Sequence, residues 1–368
     1  MFSAHLHSSA MRWRSSHLPL LLVLLLSLLT LTPAKSESTT SEFRICSYNI
    51  QKFNKEKAKD YRMMNTLTRV VYRCDICLLQ DVVDPDGSVI KALLKSINSM
   101  ESERYDGFVY KSVSSKPLGK SATDMQKYVF IYREQTASVI GQHQYESKPQ
   151  VFTRAPFAVH FQSMKTRVNK FVLVPLHSDP AQAVQEMNQL YDVFETVTKL
   201  WDNLNVMFLG DFHAGCAYMK KTDKKNIKLF ANTSFSWLIG DKVDTTVRED
   251  TSCPFDRIVV HGRVFLKAVV PYSAKVFNIG RELKIQRKRV RKMSDNLPVE
   301  VRLKSSALLL QATPLLFLLG VVQLLRSLCC GLVSDVFGSW IQQRSDTSCL
   351  MSASVLAALG NVALPPER

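Results

Sequence analysis

An α/β fold in which two β-sheets pack together with helices outside is predicted from three features of the 368-residue chain. Short apolar, β-branched runs outnumber helical stretches and often follow one another without a helix between, which a single parallel sheet would require. The segment Ala181 to Trp201 carries Val184, Met187, Leu190, Tyr191, Phe194, Val197, Leu200 and Trp201 at three- and four-residue spacing, a stripe that must face a sheet. Apolar residues make up 46% of the chain and charged ones 22%, the balance of a globular protein with a full core.

Arg44 to Ile50 has the β-branched content of a first strand, with Asn49 near its end. Arg62 to Cys74 has helical periodicity, with Leu67, Val70 and Val71 on one face. Ile76 to Gln80 reads as a buried strand ending at Asp81, and Val89 to Ile97 as a helix. A polar loop, Gly119 to Met125, precedes a strand at Tyr128 to Tyr132. Phe157 to Phe161 and Lys170 to Pro175 are further strands, the second leading to His177. After the long helix come strands at Asn205 to Leu209, Arg257 to Val260, Val264 to Val270 and Val299 to Leu303. No internal repeat is visible.

The ends differ from the middle. Arg12 and Arg14 precede the apolar run Leu18 to Leu31, and Thr32-Pro33-Ala34 closes on a small residue, so 1–34 reads as a secretory signal peptide followed by a polar stretch, 35–42. The expected location is therefore the secretory pathway, with the product extracellular or membrane-attached. Ala307 to Leu325 lacks any charge and is long enough to cross a bilayer, although Gln311, Pro314 and Gln323 are also compatible with a buried helix. A lipid-anchor signal would place this segment at the very C-terminus, whereas a tail, 326–368, follows it. The main domain is expected at 43–304, with 305–325 as the hydrophobic segment, and the protein is expected to be a monomer.

Formal net charge is +16, and removal of a leader holding two arginines and no acid leaves +14, which favours an anionic partner such as nucleic acid or an acidic membrane. The run Lys284 to Lys292, KIQRKRVRK, concentrates that charge just before Asp295. Of the eight cysteines, Cys216 and Cys253 sit on loops beside site strands and are the expected disulfide. Cys74 and Cys77 form a lone CxxC in an apolar run and read as buried thiols. Asn232-Thr233-Ser234 is an N-glycosylation sequon.

Chemistry-bearing side chains gather at predicted strand ends: Asn49, Asp81, Gln126, His177, Asp211, His213, Asp256, Asp295 and Asn296. Amide and carboxylate oxygens suit a hard cation, Mg²⁺ or Ca²⁺. A histidine beside them can move a proton near neutral pH. With a basic surround, the set points to attack on a phosphate ester.

FRICSYNIQ, RCDICLLQDVVD, VPLHSDP, LYDVFETV, LGDFHAGC, DTTV, CPFDRIVV and MSDNLPVEV occur in the order and spacing of the deoxyribonuclease I family. From Phe43 to Lys304 the chain resembles that family, in the flavour of its deoxyribonuclease-gamma and muscle-type branch. The resemblance implies a four-layer α/β sandwich and divalent-metal-dependent cleavage of DNA, double-stranded and with little regard to sequence.

The family pairs each of two catalytic histidines with a carboxylate. His177 matches the first, the base for the attacking water, but Gln126 stands where its carboxylate should be. The second belongs in Ser-Asp-His, and this chain has Ser294-Asp295-Asn296, so Asp256 remains without the imidazole it should orient. Asn49, Asp211 and Asp295 match metal-site positions, Asp81 replaces a glutamate there, and His213 replaces an asparagine. Arg154 matches a phosphate-contacting arginine, Tyr218 a groove-side tyrosine, and Cys216 with Cys253 the family disulfide. Asparagine cannot protonate a leaving alkoxide at neutral pH, so the expectation is a DNA-binding member of the family with weak or absent hydrolysis. The alternatives are a non-enzymatic DNA binder on the same fold, and a competent nuclease in which His213 or Asp124 has taken over the lost role.

Overall fold

The protein is described by a computed structural model that covers residues 42–104 and 107–306. The leader at 1–34, the hydrophobic segment 307–325 and the tail 326–368 lie outside the described residues. Within them, no helix is long and apolar enough to cross a membrane.

The elements run in the order β1 (Phe43–Phe53), α1 (Lys55–Lys59), α2 (Tyr61–Tyr72), β2 (Ile76–Val82), α3 (Ser88–Arg104), β3 (Tyr110–Ser114), β4 (Lys127–Arg133), β5 (Ser138–Gln144), β6 (Phe157–Gln162), β7 (Lys170–Pro175) and α4 (Ala183–Trp201). Then follow β8 (Val206–Asp211), α5 (Lys228–Ala231), β9 (Phe235–Trp237), β10 (Asp256–His261), α6 (Arg263–Ala268), β11 (Lys275–Val276), α7 (Ile279–Glu282), α8 (Arg287–Met293) and β12 (Val299–Leu303). One sheet has the order β11-β12-β1-β2-β4-β3, the other β5-β6-β7-β8-β10-β9.

Side-chain alternation builds the layers. On β1, Phe43 and Ile45 join Ile76, Phe130, Phe161, Leu173, Leu209 and Val301 between the two sheets, while Cys46, Tyr48 and Ile50 face α2 and α3 on the outside. On β8, Met207 and Leu209 point to the sheet–sheet core, and Val206 and Phe208 to the stripe of α4. Both faces of the central strands are therefore covered, which is why they read as continuous apolar runs. The result is the expected pair of packed mixed sheets flanked by helices.

Each sheet has one parallel pair at its centre, β1 with β2 and β7 with β8, and its other strands run antiparallel. One end of the sandwich thus collects the C-terminal ends of β1, β2, β7 and β8 and the N-terminal approaches to β4, β10 and β12. Gln80 joins the sheets there, donating from Nε2 to Leu176 O at 2.7 Å and accepting from Asp211 N at 3.0 Å. Gly210 is required at this crossing: its φ is +134°, and a Cβ would lie 2.3 Å from Leu176 O.

Two expectations need correcting. Val264 to Val270 is not a strand: Arg263–Ala268 forms α6, with Phe265 and Ala268, three apart, buried against the sheet. Its β-branched composition yields to that packing. Cys74 is not a thiol but is bonded to Cys46, beside the Cys216–Cys253 bridge that was expected. Cys46 faces the helix side of β1, and Cys74, just past the end of α2, comes within 6.1 Å Cα to Cα. Cys77 is the buried free thiol, and burial pushes its pKa up to about 12.

Candidate active site

The strand ends bring Asn49, Gln126, His177, Asp211, His213, Asp256 and Asn296 into one network. β1 prepares Asn49 by breaking regular geometry: Gln51 and Lys52 take left-handed φ of 52° and 53°, and the β1–β2 register shifts between Asn49 and Phe53. Asn49 Oδ1 accepts from Gln51 N at 3.0 Å, and Nδ2 donates to Asp211 Oδ2 at 2.9 Å and lies 3.4 Å from His177 Nε2.

His177 follows β7 and is buried. Its N–H donates to Tyr128 Oη at 2.9 Å, and that hydroxyl donates to Arg154 O at 3.1 Å. His177 Nδ1 lies 2.8 Å from Gln126 Oε1. With that oxygen as acceptor, Nδ1 carries the proton and Nε2 keeps its lone pair. Burial pushes the imidazole pKa down to about 3, against the pull of the Asp211 charge and with help from Arg154 and His213. Gln126 supplies an oxygen but no charge.

On the other side of Asp211 stands Asn296. Its Nδ2 donates to Asp211 Oδ2 at 2.8 Å and to Asp256 Oδ2 at 3.1 Å, so one amide joins two carboxylates. Asp256 pairs with Asp211 across the β10–β8 ladder and is fully buried, and its Oδ1 has no hydrogen-bond partner among the described residues. Burial first, and the Asp211 charge second, raise its pKa well above the ordinary carboxylate range. Asp211 is also buried, but the charges of His213 and His177 and the amides of Asn49 and Asn296 outweigh that and lower its pKa.

His213 adopts a left-handed φ of 49° and lies beside this centre. Its Nδ1 is 3.2 Å from Ser178 Oγ and 3.5 Å from Asp211 Oδ1, and its ring lies nearly parallel to that of His177, 6.1 Å between centroids. Tyr218 and Phe255 pack around it at 5.1 and 5.5 Å, which brings the half-exposed Tyr218 to the rim.

Asp81 and Asp295 have no direct side-chain hydrogen bond to that network among the described residues. Asp81, in a left-handed φ of 58°, has its carboxyl pKa raised by burial, against the Lys52 N–H and the charges of Arg154, Lys52 and Lys57. Asp295 is tied to Gln51 at 3.3 and 3.1 Å. Lys57, which feels the charges of both carboxylates, escaped the sequence reading because its ammonium is held by main-chain oxygens: Ile50 O at 3.1 Å, Met293 O at 2.7 Å, and Gln51 O. Arg154 approaches His177 O at 3.5 Å and Asp124 at 3.6 Å, so Asp124 faces the arginine and not the imidazole. Asn232 lies apart from this network, at the end of α5.

The donor chemistry fits a divalent cation. Asn49, Asp81, Asp211 and Asp295 are hard oxygen donors. Among the described residues no three His, Cys, Asp or Glu side chains are grouped to hold an ion by themselves.

The endonuclease/exonuclease/phosphatase family pattern matches residues 46–295. Human deoxyribonuclease gamma is 39% identical over 72% of this chain and 86% of its own. Deoxyribonuclease-1-like 1 of Homo sapiens is 38% identical over 72% of this chain and 85% of its own, and deoxyribonuclease-1-like 2 of Mus musculus is 38% identical over 71% and 92%. A solved endonuclease/exonuclease/phosphatase from Bacteroides vulgatus superposes with a TM-score of 0.49 at 13% identity, covering 72% of this chain and 99% of that one.

Proposed function

The chain belongs to the deoxyribonuclease I family, within the endonuclease/exonuclease/phosphatase family, and on that premise we propose that it is a DNA-binding phosphodiesterase whose hydrolytic step is slow or absent. The observation that carries the reading is the Asn296 amide lodged between Asp211 and Asp256. Those two carboxylates could hold an imidazolium, and the amide in its place has no proton to give.

His177 is the base of the reaction. Its Nε2 lone pair faces Asn49, and Gln126 fixes the ring through Nδ1, so the ring is oriented to take a proton from water. As it charges, however, Gln126 offers a dipole where a carboxylate would offer a full charge. At the leaving-group side Asn296 cannot protonate the departing alkoxide, and loss of one such acid or base costs about 10² to 10⁴-fold. Arg154 and Tyr218 contact the phosphate backbone and groove of duplex DNA, with little dependence on sequence. Asn49, Asp81, Asp211 and Asp295 would hold Mg²⁺ or Ca²⁺, with His213 a softer neighbour. Such an ion would stabilise charge on the phosphoryl oxygens.

The protein is further proposed to be a secreted or membrane-attached monomer, glycosylated at Asn232. Nicking of supercoiled plasmid by the purified mature chain, with Mg²⁺ and with Ca²⁺ at several pH values, tests the catalytic reading. Binding with little nicking is expected, and nicking at the rate of a competent relative assayed in parallel would overturn it. That outcome would favour a second reading, in which His213, 3.5 Å from Asp211 Oδ1, has taken the lost role. His213→Ala should then abolish activity.

A further inference from the structure

The cations of α8 are divided between two sides of the helix, and the two sides are not alike. Val290 and Met293 are buried and fix the helix to the domain. On one side Arg287 donates from Nε to Val247 O at 2.6 Å and pairs with Glu249 at 2.9 Å. There too Arg248 grips Asp250 with two bonds, 2.9 and 2.7 Å, and Arg291 lies 3.6 Å from Asp295. Each of these arginines has an acid for a neighbour.

The other side is a hollow of about 150 Å³ between α8 and the start of α2, with Arg62, Arg289 and Lys292 in its lining and Met63 and Met293 among its buried residues. All three cations are exposed, and none has an ion pair or side-chain hydrogen bond among the described residues. The acid in the lining is Asp60, and its Oδ1 accepts from Arg62 N and Met63 N at the head of α2, at 3.0 and 3.1 Å. Three positive side chains against one carboxylate in the lining leave the hollow electropositive. Guanidinium forks and an ammonium match the several acceptor oxygens of a phosphodiester.

This hollow is connected to the active end of the molecule by α8 itself. Met293 O receives the Lys57 ammonium at 2.7 Å, Ser294 Oγ donates to Asn49 O at 2.6 Å, and Asp295 follows. Seven residues of helix span about 10 Å, so a duplex with one phosphate at the centre carries others within reach. Resting on the DNA reading above, the geometry points to Arg62, Arg289 and Lys292 as an auxiliary phosphate-binding shelf that holds the backbone of the same duplex outside the catalytic centre. The ligand is the phosphodiester of a nucleic acid, read without regard to sequence.

The test compares the full mature chain with the triple variant Arg62→Gln, Arg289→Gln, Lys292→Gln. A control of equal charge change carries Lys170→Gln, Lys199→Gln and Lys267→Gln, three exposed lysines toward the opposite ends of the strands. Binding of a fluorescent duplex of about 30 base pairs is followed by anisotropy between about 50 and 200 mM salt. Each phosphate contact contributes about 0.9 to the slope of log affinity against log salt, so the shelf variant should lose about 2 to 3 of that slope and the control about 0.5 or less. A shelf variant that keeps the wild-type slope overturns the shelf. So does a variant that loses binding to phosphatidylserine vesicles while its DNA slope is unchanged, which would assign the cations to a lipid surface. Wild-type protein that binds no duplex at all defeats the DNA reading itself, an outcome distinct from either.

Discussion

On the reading proposed above, the two halves of the active end each lack the opposite member of an imidazole–carboxylate pair. Around His177 the imidazole is present and an amide, Gln126, stands in the carboxylate's place, 2.8 Å away. Around Asp256 the carboxylate is present and an amide, Asn296, stands in the imidazole's place, 3.1 Å away. The consequences run in opposite directions on the pH scale: burial pushes His177 down to about 3 and pushes Asp256 up. Burial disfavours the charged form of either group, and at His177 it outweighs the attraction of Asp211. On that reading the geometry for acid–base work is kept in both halves, and the charge that makes it effective is lost from both. A fold can retain the one without the other because amides satisfy the same hydrogen bonds as the groups they replace.

The most direct way to break the comparison is to repair the Asp256 half. Asn296→His should seat an imidazole between Asp211 and Asp256, supply the leaving-group proton and raise plasmid nicking by about 10² to 10⁴-fold. Adding Gln126→Glu repairs the other half and should give about a further tenfold, the equivalent of one pKa unit of stabilisation of His177 as it charges. The two together should exceed the product of the separate gains, since groups that act as a unit are non-additive. Activity that appears only after Asp81→Glu and His213→Asn are also introduced would move the fault to the metal-facing side.

A smaller effect appears in stability. The folded pKa of His177 is near 3, against about 6.5 for a free imidazole, so below neutral pH the unfolded chain takes up a proton that the folded chain refuses. The contribution from keeping this ring neutral is therefore present above about pH 6.5 and is lost progressively as pH falls toward 3. Gln126→Glu raises the folded value and should flatten the fall in melting temperature between about pH 7 and 4 relative to the parent chain. Identical acid-side slopes in the two proteins would rule this out.

Much of this end was legible in the chain because parallel strands buried on both faces announce themselves as apolar runs. The groups just past such runs, Asn49, His177 and Asp211, are where the sheets deliver ligands. What escaped has a physical reason in each case. β5 is a half-exposed edge strand of polar residues, SVIGQHQ, with no apolar run to mark it. α8 hides only Val290 and Met293, too few for a visible stripe. Lys57 binds carbonyl oxygens, which every residue has, so no side-chain pattern foretells it. The Cys46–Cys74 bridge links β1 to the end of α2, a pairing that depends on how the helix folds back over the sheet rather than on the CxxC spacing.

The smallest predicted effect sharpens the comparison most. If Asp256 is held neutral because burial and the neighbouring Asp211 charge both disfavour its anion, then Asp256→Asn replaces a protonated carboxyl by a near-isosteric amide. In the present chain the change should leave nicking within about threefold, inside the range of a minor perturbation. It should also remove a pH-dependent loss of stability. A carboxylate whose folded pKa is raised favours the folded state at low pH and loses that advantage as pH rises through the folded value, so the variant should melt less steeply toward alkaline pH than its parent. With Asn296→His already in place the same substitution should behave differently. The new imidazole would then need Asp256 as an anion to orient it and to stabilise its charge, and the loss should reach about 10²-fold or more. The double-mutant cycle between positions 256 and 296 therefore reads out whether the carboxylate has a function of its own. Equal losses in the two backgrounds would mean that Asp256 acts independently of any imidazole, and the picture of two half-pairs would fall.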